Sequence, residues 1–125
     1  MKIYVLGNTL IKKDATAVNL VPALQKELPQ HEFLLVDPTE SFNPDPDKTL
    51  IIIDTVLGIK KVQTYEDIDV FTKNKTVSVH DYDLILHLQL LKKLDKLPKK
   101  MVIIGVPQIR ATASLVDQVI VLLAQ

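Results

Sequence analysis

The sequence predicts an α/β layered domain, and three observations predict it. Leu50-Ile51-Ile52-Ile53-Asp54 is a short apolar run closed by a carboxylate, the pattern of a parallel strand buried on both faces. Met101 to Val106 is a second run of the same kind. Around them lie stretches whose apolar residues recur at helical spacing, and strands alternating with helices make a sheet with helical layers. Asp54 stands out in this plan. In open α/β sheets, ligands sit beyond the carboxyl ends of the strands, and a buried carboxylate is costly without a partner. Asp54 is therefore either a capped structural acid or part of a site.

The elements follow in order. Lys2 to Leu6 reads as a first strand, ended by the turn signal Gly7-Asn8. From Asp14 to Leu28 the pattern is helical, with Val18, Val21, Leu24 and Leu28 near one face. Pro22 interrupts it, which predicts a kink, or a short turn before a helix capped near Asn19. Glu32 to Val36 is a second strand, ended by Asp37-Pro38, and Ser41 to Lys48 is a loop. Leu50 to Asp54 is the third strand, and the weakly alternating Lys61 to Tyr65 an edge strand. Asp67 to Lys75 is polar and irregular. Asp81 or Asp83 caps a helix running to Leu97, where Pro98 stops it, and its leucines from 84 to 97 read as core. Met101 to Val106 is the last buried strand. Ala113 to Ala124 is a closing helix with apolar rows at Leu115, Val119, Leu122 and at Val116, Ile120, Leu123.

Composition bounds the rest. The 125 residues, 47% of them hydrophobic, suit a single domain spanning residues 1–125 with one sizeable core. Lys plus Arg and Asp plus Glu number 15 each, so nothing in the charge balance favours nucleic acid or an anionic membrane as partner. A monomer is expected. There is no cysteine, hence no disulfide framework, thiolate nucleophile or cysteine zinc site, in keeping with a cytoplasmic location. The first apolar run is too short for a signal peptide, and none reaches the roughly 18 residues that span a bilayer.

Three strand-end or loop positions hold candidate chemistry: Asp14 after the first strand, Asp54 at the end of the third, and His80 before the long helix. Two carboxylates and an imidazole are a suitable donor set for a divalent transition metal. If they form one site, the two carboxylates and the ring should converge in one solvent-accessible cleft.

The chain resembles the hydrogenase maturation proteases nearly end to end. Val5-Leu6-Gly7-Asn8-Thr9-Leu10 is similar to that family's opening strand and turn, and Asp14 falls where it has a first acidic metal ligand. Ile51-Ile52-Ile53-Asp54-Thr55, with Gly58 after it, resembles the strand ending in the second acid. Ser78-Val79-His80 resembles the histidine-bearing segment, and Val102-Ile103-Ile104-Gly105-Val106-Pro107 the last strand and its exit. The resemblance implies a three-layer α/β/α sandwich with a mixed, mostly parallel five-stranded sheet, phosphorylase/hydrolase-like, in which Lys61 to Tyr65 is the antiparallel strand. It implies an endopeptidase that removes the C-terminal extension of a nickel-loaded [NiFe]-hydrogenase large-subunit precursor. Asp14, Asp54 and His80 would be both catalytic residues and ligands to nickel supplied by that substrate. Asn8, Asp37, Thr39 and Glu40 would take part in substrate recognition.

The chain departs from that pattern in three places. Val5 replaces a glycine, Lys13 and Ala15 flank Asp14, and Asp37-Pro38-Thr39-Glu40 replaces a loop with paired glycines, removing φ > 0 freedom. Two alternatives stand beside this reading: a non-catalytic relative that binds a metalloprotein, motivated by the short chain and the altered Asp37 to Glu40 loop, and another metal-dependent hydrolase on the same scaffold. Each candidate also has a structural reading. Asp14 suits a helix N-terminus, Asp54 a loop amide, and His80 a satisfied loop position. His87 reads as structural and His31 as solvated. The lack of a G-x-G-x-x-G argues against a dinucleotide site.

Overall fold

The computed structural model describes residues 1–7, 15–36, 44–56, 58–69, 71 and 79–124, and for 79–84 the backbone alone. Among the described residues eight elements follow one another: β1 (Lys2–Leu6), α1 (Thr16–Glu27), β2 (Glu32–Val36), β3 (Leu50–Val56), β4 (Gln63–Tyr65), α2 (Val79–Lys93), β5 (Met101–Pro107) and α3 (Ala113–Leu123). The five strands form one sheet in the order β2-β1-β3-β5-β4. All neighbours are parallel except β4, which pairs antiparallel with β5 at the edge. The expected mixed sheet is present, and the weak Lys61 to Tyr65 segment supplies its antiparallel strand.

Period-two alternation sorts the side chains into two cores. On one face Ile3, Val5, Ile53, Ile104 and Val106 pack beneath α1 and α3. On the other, Leu6, Leu50, Ile52, Val56, Met101 and Ile103 pack beneath α2. β3 and β5 are buried on both faces along almost their whole length, which is why they read as continuous apolar runs. The result is the three-layer sandwich expected.

The helices differ from their expected outlines. α1 runs through Pro22 as one helix, with no break and no start near Asn19. Proline removes one intrahelical hydrogen bond. The fully buried Ala17, Leu20 and Leu24 hold the helix to the sheet across that gap. α2 starts at Val79, so Asp81 and Asp83 lie inside it rather than capping it, and His80 is in its first turn. It ends before Pro98. Asp95 takes a left-handed φ of 59°, the Lys96 amide donates to Leu91 O at 2.8 Å, and the Asp95 amide donates to Lys92 O at 3.1 Å. Those two bonds are a Schellman motif, which satisfies the last carbonyls. The leucines of this stretch are not uniformly core: Leu88 and Leu91 are buried, but Leu86, Leu90 and, just past the end of α2, Leu94 are exposed. The 67–75 segment, expected to be irregular, contributes Ile68 and Phe71 to the α2-side core from a short helical turn. His31 is half-buried rather than solvated, and its Nδ1 is buried without a hydrogen-bond partner.

Candidate active site

The strand order reverses between β1 and β3. From β1 the chain leaves through α1, on one face of the sheet, to β2. On the far side of β1, β3 is joined to β5 by a connection whose helix, α2, lies on the opposite face. A crevice opens at such a switch point, beyond the carboxyl ends of the two strands, because the helices diverge there. Asp54 is in the last turn of pleat of β3, on that edge.

The two residues at this strand end face opposite layers. Asp54 lies on the α2 side, 3% exposed, where it lines a small cavity with Leu6, Ile52, Phe71, Ile85 and Leu88. That cavity is about 10 Å³, the room of at most one water. Asp54 is not without a partner there. Thr55, also 3% exposed, faces α1. Its hydroxyl accepts a hydrogen bond from the Ala17 amide at 2.9 Å. The N-cap of α1, Ala15, has no side chain able to satisfy the first-turn amides, so Thr55 does that work from a strand 38 residues away. A second tie reinforces it: Thr16 Oγ1 donates to Ile109 O at 2.9 Å, joining the start of α1 to the loop after β5. The segment that directly follows Asp14 in sequence is thus pinned beside the residue that directly follows Asp54.

α2 brings its start to the same edge. The Leu50 amide donates to Lys100 O at 3.0 Å, which puts the beginning of β5 beside the beginning of β3. α2 ends seven residues before Lys100, so it runs from the carboxyl edge of the sheet towards the amino edge. Ile85 and Leu88 share cavity walls with Asp54. His80 stands five residues before Ile85, about 7.5 Å further along the helix axis.

Of the expected site residues, Asp54 is described in full and His80 by its backbone. Asn8, Asp14, Asp37, Thr39 and Glu40 lie outside the described residues. Among the described residues no group of three His, Asp or Glu side chains converges on one point, and no helix is long and apolar enough to cross a membrane. The residues that sequence reasoning passed over are structural ties. Thr55 and Thr16 anchor α1. Gly105, level with Asp54 on β5, leaves space for its neighbours: a Cβ there would lie 2.9 Å from Val56 Cγ2 and 3.0 Å from Tyr65 Cε2. The Tyr65 ring meets Phe71 edge-on, with centroids 5.2 Å apart. Gly58, in the turn after β3, has φ 85°, which a residue with a Cβ adopts only under strain.

One charged cluster holds α2 to the segment after β4. Lys92 Nζ lies 3.0 Å from Asp67 Oδ1 and 2.7 Å from Asp69 Oδ2. The Asp69 amide and the Lys92 ammonium hold the Asp67 carboxyl below its usual range. Hydrogen bonds to Asp69 and Asp67 hold the Lys92 ammonium above its own.

The elements together define a three-layer α/β/α protein whose strand order reverses between β1 and β3. The model of the HycI hydrogenase maturation proteases matches residues 30–119. The chain belongs to the hydrogenase maturation protease family, and its enzyme class is that of the peptidases. Among solved structures, it is similar to the hydrogenase maturating endopeptidase HybD from E. coli, with 25% identity, 99% of this chain and 93% of that chain covered, and a TM-score of 0.62. The [NiFe] hydrogenase maturation protease HybD from Thermococcus kodakarensis shares the fold at 20% identity, covering 99% and 97% of the two chains with a TM-score of 0.65. An endopeptidase from Escherichia coli, solved in solution, shares it at 24% identity, with 96% and 85% covered and a TM-score of 0.60. Comparison with curated protein sequences gives no match.

Proposed function

We propose that this chain is an endopeptidase that removes the C-terminal extension of a nickel-loaded [NiFe]-hydrogenase large-subunit precursor. The observation that carries the reading is Asp54, a carboxylate buried at the switch point of a chain in this family. Asp14 and His80 complete the set, one preceding the pinned start of α1 and the other in the first turn of α2. Two carboxylates and an imidazole fit a borderline divalent ion such as nickel, which here belongs to the substrate. Bound there, it would supply recognition of a filled precursor and polarisation of the scissile carbonyl or of water. The protein's share is to hold the donors. Thr55 and Thr16 fix the chain beside Asp14, and the apolar wall of Leu6, Ile52 and Phe71 keeps water away from Asp54, which strengthens its charge interactions. Asn8, Asp37, Thr39 and Glu40 would read the precursor. The protein would act in the cytoplasm, where such a precursor is made.

The test mixes purified protein with nickel-loaded precursor and follows the released tail by mass spectrometry. Wild type should cleave and Asp54→Ala should not, with circular dichroism confirming that the variant folds. Equal cleavage by the two overturns the assignment. The replacement of paired glycines by Pro38-Thr39 favours a second reading, a module that binds the precursor without cutting it. Its outcome is a stable complex with an intact tail.

A further inference from the structure

α2 is apolar on more than its core side. Ile85, Leu88 and Leu91 are 4%, 1% and 9% exposed, whereas Leu86, Leu90 and, just past the helix end, Leu94 are 47%, 53% and 54% exposed. Their four-residue spacing makes one ridge along the outer side of the helix. Isolated exposed leucines need no explanation, but a row of them along one ridge is a candidate contact surface. Charge brackets the row with opposite signs: in sequence, Asp83 precedes Leu86 by three residues and Lys93 follows Leu90 by three.

We infer that this ridge is the interface of a reversible, two-fold symmetric homodimer in which α2 packs antiparallel on α2 of a second copy. The ridge is self-complementary in one register. An axis level with the midpoint of Leu86 and Leu90 sets Leu86 on Leu90 of the second copy, and Leu90 on its Leu86. The same axis brings Asp83 level with Lys93 of the second copy, because both stand five residues from it, about 7.5 Å along the helix. A two-fold contact requires such self-matching, and here leucines and charges match together. A parallel pairing would instead set Lys93 against Lys93 and align the helix dipoles unfavourably. One helix ridge buries less than the roughly 1,200 Å² at the low end of specific stable interfaces, so the association is weak and reversible. The proposal departs from the monomer expected from sequence, and it holds whether or not the chain cleaves a precursor.

Sedimentation equilibrium of the full chain from about 5 to 500 µM tests it, concentrations over which weak, reversible association shows. The mass should rise from the 14.1 kDa of the monomer towards twice that value. Leu90→Glu, at an exposed position, should keep the fold by circular dichroism and stay monomeric throughout. Asp83→Lys and Lys93→Asp should each weaken association about tenfold at low salt, and the double variant should restore it. Wild type monomeric at every concentration overturns the proposal, and so does a dimer that survives Leu90→Glu. Failure of the double variant to recover overturns the antiparallel register.

Discussion

Replacing Thr55 by valine tests how this fold holds its site together. Valine is nearly the same shape, so no cavity opens, but the acceptor of the Ala17 amide is lost. Ala17 is fully buried, and its amide is among the first-turn donors of a helix whose own N-cap side chain accepts nothing. Leaving a buried donor unmade costs about 1–3 kcal/mol. At about 2.1 cal/mol/K of unfolding entropy per residue, a chain of 125 residues should then melt about 4–11 °C lower. Thr55→Ser is the control. It keeps the hydroxyl and loses one buried methyl, about 1 kcal/mol. Thermal melts followed by circular dichroism give the global effect, and amide hydrogen exchange at Ala17 gives the local one. Exchange should accelerate in Thr55→Val and stay slow in Thr55→Ser. If Thr55→Val melts with wild type and the Ala17 amide stays protected, the cap reasoning is wrong. On the proposed function, precursor cleavage should fall as exchange at Ala17 rises, since Asp14 directly precedes the segment this bond anchors.

Two further outcomes follow from the packing and the charges. Gly105→Ala should cost about 1–3 kcal/mol by urea denaturation, because its Cβ overpacks against Val56 and Tyr65; adding Val56→Ala should recover part of the loss, and a neutral Gly105→Ala would refute the close approach. Lys92→Met should lower the urea midpoint by an amount that is steady near neutral pH. The Asp67 pKa is lowered from 3.8, so its contribution is present above that value and is lost as pH falls through the lower folded value. The Lys92 pKa is raised from 10.5, so its contribution is complete below that value and is lost as pH rises through the higher folded one. The gap between wild type and variant should close at both extremes and shrink with salt; a gap unchanged at acid pH would refute the ion-pair account.

The sheet was legible in the sequence because its central strands are buried on both faces, and double burial leaves a run of Ile and Val that no other element matches in so few residues. β1 and β2 match their expected limits, and β3 and β5 extend theirs by two residues and one. The ends of α2 were not legible. Asp81 and Asp83 look like caps, but the helix begins before them, and its end rests on a left-handed Asp95, a residue type that marks no single conformation. The leucine face was ambiguous for a different reason. α2 has apolar residues on both sides, so periodicity shows a helix without showing which side faces the sheet. The place of Asp54, a buried acid near the end of a central strand, was legible from the apolar run that carries it. The tie from Thr55 to Ala17 was not, since a hydrogen bond across 38 residues leaves no local signal.

What the fold adds to Asp54 is a reason for its neighbour. Alternation along β3 sends Asp54 to the α2 layer and Thr55 to the α1 layer, so one strand end reaches both sides of the sheet. At a switch point the two layers diverge, and a site that draws on both needs something to fix their spacing. Thr55 does this for α1 through the Ala17 amide, and the Ile85 and Leu88 contacts do it for α2. The strand that bears the acid therefore also sets where the chain after Asp14 and the helix bearing His80 begin. A site of widely spaced residues can then be positioned without any local motif, because the geometry resides in β3 rather than in the loops. On the proposed function, substitutions at Thr55 or Gly105, neither of them a donor to a metal, should accordingly disturb activity through position, whereas substitution at Asp54 should remove the chemistry itself.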